Sequence, residues 1–143
     1  MKRLIITITM LIGLGMWLSA GSTSTKNNEG QDPVIKHYVS TQEALAGDDF
    51  NKAKSSLELL VKSSDGEIKK LSETALNAGD LNALRQAFKP LSELMAKAEL
   101  PAGLAVAYCP MAKAHWVQEN GKVANPYYGS SMLRCGTIQK VAE

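Results

Sequence analysis

The sequence is poor in cysteine, in aromatic residues and in net charge. Two cysteines, two histidines, two tryptophans and two phenylalanines are spread over 143 residues. The cysteines, Cys109 and Cys135, do not form a C-x-x-C pair, so thioredoxin-type redox chemistry lacks its motif. No zinc-protease, P-loop or dinucleotide-binding signature occurs. Cys109 and His115 supply a thiol and a base, but no third residue stands where it would orient them, and the spacing matches no nucleophilic mechanism. The chain is therefore expected not to be an enzyme. His37, beside Tyr38, reads as a surface or boundary residue.

Charge excludes further classes. Lysine and arginine number 16 against 14 aspartates and glutamates, a net of +2. Lys2 and Arg3 account for that whole excess and precede a mostly apolar run, Leu4 to Leu18. Small residues follow at Ser19, Ala20, Gly21 and Ser22. A basic start, an apolar stretch and a small-residue end make the plan of a secretory signal peptide, assigned to residues 1–21. The apolar run falls short of the roughly 20 residues of a membrane span. The expected mature chain is periplasmic, near neutral and free of the membrane. It carries no basic patch for nucleic acid.

Residues 22–32, beginning "STSTKNNEGQ", are polar and without periodicity, and are expected to form a flexible tether. Asp32 and Pro33 then stand as an N-cap and a first helical residue. Val34, Tyr38 and Leu45 recur at helical spacing before Gly47. Asp48 is expected to cap a second helix with the stripe Phe50, Ala53, Leu57, Leu60 and Val61, ended by "SSDG". A third helix carries Ile68, Leu71 and Ala75 and stops near Gly79. Asp80 caps the fourth, whose apolar face is Leu81, Leu84, Phe88, Leu91, Met95 and Ala98. Arg85, Lys89, Glu93 and Lys97 fall on the other side and are expected to face water. Pro90 should bend or divide this helix.

Beyond "ELPAG" the helical period stops. "LAVAY" (residues 104–108) suits a short buried strand, Asn120-Gly121 is a hairpin signal, and Asn125-Pro126 opens a turn that Gly129 closes. The expected fold is mainly α: a four-helix antiparallel bundle over residues 33–143, with a small loop-rich or β-hairpin cysteine-containing cap at about 101–143.

The unusual chemistry lies in that cap. "AYCPMAKAHW" holds a thiol, a thioether, an imidazole and an indole. Cys109 and Met111 are two apart, so an extended segment points both the same way. Met132-x-x-Cys135 repeats the pairing one turn apart. If the NPYYG turn folds the second segment on the first, two thiols and two thioethers converge, with His115 as a fifth donor. Trp116, Tyr127 and Tyr128 would wall the site. Soft sulfur donors select Cu(I) or Ag(I) over hard cations, and nearby carboxylates are scarce. Two other readings stand beside this one. The two cysteines of an exported chain can form one disulfide, closing a loop of about 25 residues and stabilising by about 3 kcal/mol. Alternatively they are unpaired buried thiols, with the methionines filling gaps in the core.

The ordered blocks "YCPMA", "HWVQ", "NPYYG" and "SMLRCG", together with "HYVSTQEALAGDDFNKAKSSLELL" and "LNALRQAFKPLSELM", resemble an exported bacterial domain family of unknown function. That domain occurs alone and fused to the C-terminal end of periplasmic adaptor subunits of copper/silver-type heavy-metal efflux systems. The resemblance spans about Val34 to Thr137. It implies an exported helical domain with a cysteine-containing cap, serving metal resistance in association with efflux components. It also implies that Cys109, Met111, Met132 and Cys135 are the family's sulfur residues, while His115 lies in a variable stretch. Lacking the adaptor's own hairpin and barrel, this chain would act as a soluble carrier or accessory. The alternative is a disulfide-stapled interaction domain with no metal role.

Overall fold

The computed structural model describes residues 32–143; the expected signal peptide and nearly all of the tether lie outside the described residues. Four helices come first: α1 (Pro33–Ala46), α2 (Phe50–Ser63), α3 (Gly66–Leu76) and α4 (Leu81–Ala96). They are followed by β1 (Leu104–Cys109), β2 (Ala114–Glu119), a short 3-10 turn (Gly129–Met132) and β3 (Thr137–Val141). The strands form one antiparallel sheet in the order β2-β1-β3. The fold is therefore mixed α/β, which corrects the expectation of a mainly α bundle with a loop-rich cap.

The helices follow local signals. Asp32 accepts from the Val34 N–H at 2.9 Å, and Pro33 occupies the first turn, where its missing donor is harmless. Asp80 caps α4 through the Ala83 N–H at 2.8 Å. Leu84, Phe88, Leu91 and Met95 are buried along one side of α4, as their spacing predicts. Each such side chain contributes about 1.5–3 kcal/mol on burial. Pro90 does not divide α4, which continues through it as one element.

Two expectations about the helices need correction, one about a cap and one about a face. The cap of α2 is Asp49, which accepts from Lys52 N at 2.9 Å, whereas Asp48 lies in the left-handed region at φ 59°. Asp48 turns the chain between the helices and sends its carboxylate elsewhere. Arg85 is not on a solvated face; it is 7% exposed. Its Nε donates to Pro126 O at 3.0 Å and its Nη2 to Leu45 O at 2.8 Å, with an ion pair to Asp48. A buried guanidinium is tolerated here because it meets carbonyls and a carboxylate together.

Each helix packs on the next along the chain, and α1 and α4 both pack on β2. That contact covers the outer edge of β2 with side-chain groups. Tyr38 Oη accepts from Val117 N at 3.1 Å and bonds Ser92 Oγ at 2.8 Å. Glu93 accepts from His115 N at 2.6 Å, and the Tyr127 hydroxyl donates to His115 O. Edge groups that would otherwise seek another strand are thereby satisfied. Tyr38 also stacks on Phe88 at 5.3 Å between ring centres.

The β1–β2 turn is Pro110–Lys113, not Asn120-Gly121: β2 has already ended at Glu119, and Asn120 N donates back to Gly103 O at 2.8 Å. Pro110 suits the first position of a turn, and Lys113 closes it at φ 51°. β3 pairs with the other side of β1, with an irregularity between Val106 and Ala107.

Candidate functional site

The site is built where β1 ends and the chain returns to start β3. Cys109 is the last residue of β1 and fully buried; Cys135 is half-buried, two residues ahead of β3. Both are free thiols, and their sulfurs lie 3.1 Å apart. The tight turn after Cys109 folds its own backbone over the sulfur, so that Ala112 N–H donates to Sγ at 3.4 Å.

The returning segment is held by the NPYYG motif. Asn125 is fully buried, and its Oδ1 accepts from Tyr127 N at 2.8 Å and Tyr128 N at 3.3 Å. Its Nδ2 donates to Cys135 O at 2.7 Å, and its backbone N to Leu133 O at 2.8 Å. One asparagine thus ties the motif to the cysteine loop. Pro126 and Ala124 are fastened to the helices through Arg85 and through Gln42 Nε2, which donates to Ala124 O at 2.7 Å. Gly129 sits where a Cβ would overlap the Asp48 carboxylate and the Arg85 guanidinium. Asp48 Oδ2 in turn accepts from Ser130 N at 3.1 Å. At Gly136, next to Cys135, φ is +135° and a Cβ would lie 2.8 Å from both Trp116 Cη2 and Tyr108 O. The backbone there lies directly on the indole, a position that glycine alone fits.

The two thiols are electrostatically unequal. Burial pushes the Cys109 thiol up, but hydrogen bonds from Cys135, Ala112 N–H, Asn125 and Met111 N–H outweigh it and leave the thiol below its ordinary value. Cys135 is raised, first by the hydrogen bond it gives to Cys109, then by desolvation and by the neighbouring negative charge. Of the two sulfurs, Cys109 is the one whose surroundings favour the thiolate form, and Cys135 the one that they favour as the donor.

The sequence-derived donor set is only partly assembled. Cys109 and Cys135 come together. Met111, two residues beyond Cys109, is 64% exposed. Met132 is half-buried in the 3-10 turn, where its carbonyl accepts from Cys135 N at 3.0 Å. His115 is kept apart. It pairs with Tyr108 across the hairpin, so it projects from the sheet face opposite to Cys109. Its Nδ1 lies 3.1 and 3.2 Å from the two Glu93 oxygens, and its ring leans on Tyr108 at 4.6 Å. Trp116 shares the Cys109 face, lies against Gly136 and meets Tyr127 edge-on at 5.8 Å. Among the described residues no group of three or more His, Cys, Asp or Glu side chains is placed to hold a metal ion.

Asn125 is the residue that sequence reasoning missed. It was legible as a turn former, and an asparagine that opens an N-P turn commonly bonds the backbone two residues on. Its second bond, to the cysteine loop, carries no local signal.

Chemically, the spacing of 3.1 Å stands between two outcomes. A disulfide needs about 2.05 Å, a closure of about 1 Å. Two sulfurs sharing one tetrahedral cation, at metal–sulfur bonds near 2.3 Å, lie about 3.8 Å apart. Movement of about 1 Å at the Cys135 loop would reach either state from this one.

Comparison of the chain with protein-family models, with curated proteins and with solved structures gives no match in any of the three.

Proposed function

We propose that this is an exported dithiol protein that takes up a soft cation of the Cu(I) or Ag(I) type at Cys109 and Cys135, as a soluble accessory to heavy-metal efflux. The observation that carries the reading is the contact of two free thiols, one of them surrounded by N–H donors that favour its thiolate form. Thiolate is the form that binds a soft metal. Met111 and Met132 are the flanking thioethers, the first exposed and the second half-buried. The proposed donor set leaves out His115, whose ring meets Glu93 on the other face of the sheet. The efflux association rests on the family resemblance alone.

An anaerobic Cu(I) titration of the reduced protein against a chromophoric competitor tests this. One equivalent held by the wild type and lost in Cys109→Ser supports the cation site. Met111→Leu and Met132→Leu should each weaken binding while leaving the fold intact, and His115→Ala should leave it unchanged. Absence of any competition with the indicator removes the metal reading.

A second reading is favoured by β3. Four of its five residues are exposed, and the strand begins two residues after Cys135. A Cys109–Cys135 disulfide would fasten it to β1 and make the pair a staple in an interaction domain. A free-thiol count on protein taken from its native compartment separates the two: full thiols fit the cation site, none fits the staple.

A further inference from the structure

We infer that Cys109 and Cys135 form a reversible disulfide with a fixed polarity, in which Cys135 is the sulfur that an external protein dithiol attacks and Cys109 is the leaving group. This rests on the proposed reading only in taking the thiol pair as the functional unit.

Three observations carry the polarity. First, access differs. Cys109 is fully buried at the end of the central strand, whereas Cys135 is partly open in the loop that precedes β3. Thiol–disulfide exchange needs the incoming sulfur to reach the sulfur under attack, on the side away from the bond that breaks. With Cys109 enclosed, only Cys135 offers that side. Second, the departing sulfur already has a place to go. Cys109 Sγ lies 3.4 Å from the Ala112 N–H, held by the Pro110–Lys113 turn, and no backbone rearrangement is needed to receive a thiolate. Third, the loop is pinned on both sides of Cys135: ahead of it, Leu133 O accepts from Asn125 N at 2.8 Å. Asn125 Nδ2 holds its carbonyl, and Gly136 lies flat against Trp116 and Tyr108 O. The sulfur therefore stays near Cys109 after the bond opens, and the pair can close again.

The exchange balances as two steps. A thiolate of the partner attacks Cys135 Sγ; a partner–Cys135 disulfide forms, the Cys135–Cys109 bond breaks, and its electron pair leaves on Cys109 Sγ. The partner's second thiol, after losing its proton, attacks its own sulfur in the mixed disulfide. The electron pair then passes to Cys135, which takes up a proton. The partner departs as a disulfide, and two electrons have entered this chain. The reverse sequence, with a partner that carries a disulfide, oxidises the pair. The partner class is thus an exported dithiol oxidoreductase.

The test uses glutathione and an aromatic disulfide, with no metal present, so its result is independent of the Cu(I) titration. Oxidised wild-type protein is mixed with glutathione, quenched by acid, and the adduct mapped by peptide mass spectrometry. The expected adduct is on Cys135. In parallel, Cys109→Ser and Cys135→Ser are treated with 5,5′-dithiobis(2-nitrobenzoate), folded and in denaturant. Folded Cys109→Ser, which retains Cys135, should react at least about tenfold faster than folded Cys135→Ser, and the two should converge in denaturant. An adduct mainly on Cys109, or equal folded rates with equal denatured rates, overturns the polarity. A wild-type disulfide that no glutathione ratio opens overturns the reversibility.

Discussion

At the residue scale, the site depends on a few side chains whose partners are distant in sequence. Asn125 is the clearest. It is fully buried, and it bonds Cys135 O, Tyr127 N and Tyr128 N at once. Asn125→Ala leaves those groups without partners, and destabilisation of about 1–3 kcal/mol is expected in urea denaturation. Tyr38 plays the same part at the edge of β2. Burial holds its phenol far above the ordinary range, so it stays protonated, bonding Ser92 while it accepts from Val117. Tyr38→Phe keeps the stack on Phe88 but strands the Val117 N–H, at a cost of about 1–3 kcal/mol by the same measurement. Gly136→Ala should be worse than an ordinary surface change, since the added methyl meets both Trp116 and a carbonyl in a backbone region closed to alanine. Loss of soluble expression or a clearly lowered melting temperature is the expected outcome.

At the element scale, the question is what ties the sheet and its loops to the helices. One tie is the contact of α1 and α4 with β2; another is Arg85, which joins the end of α1 to the NPYYG turn. Arg85→Leu keeps the volume but removes donors from two carbonyls and leaves Asp48 without its cation. A loss of about 3 kcal/mol is expected, with the 124–136 segment becoming sensitive to protease before the helices do. Asp48 adds a pH dependence to this tie. Its carboxyl sits below the usual range, first because of hydrogen bonding to Ser130 and then because of Arg85. A depressed carboxyl contributes stability that is present above its unfolded pKa, about 3.9, and lost as pH falls through the lower folded value. Stability should therefore decline below about pH 4, and Asp48→Asn should flatten that decline. The side chain is 35% exposed, so solvent screening keeps the effect small.

At the scale of the whole molecule, oxidation of the thiol pair links the centre of the sheet to the loop that leads into its most exposed strand. Closing that loop of about 25 residues should raise stability by about 3 kcal/mol, read as the difference in denaturation midpoint with and without reductant. A difference near zero would mean that the packing around Asn125 and Gly136 already holds the loop as tightly as a bond does. Among the described residues no helix is long and apolar enough to cross a membrane.

The sequence by itself determined the four helices, because their signals are local. Asp32-Pro33 and Asp80 cap within three residues, and the α4 stripe repeats every three or four positions. It also marked β1 and the cysteine segments as the unusual chemistry. Only the tertiary structure decided the rest, for one physical reason: each remaining choice is a competition between partners far apart in the chain. Asp48 and Asp49 are equally good caps until Arg85, 37 positions on, claims the first. Thr137–Val141 is too polar to read as a strand until β1 offers it an edge. His115 stands in the sequence as a fifth donor, after the four sulfurs, until strand alternation and Glu93 place it on the other face. Cys109 and Cys135, 26 positions apart, become one dithiol only because Asn125 and Gly136 bring the second loop down onto the end of the first strand.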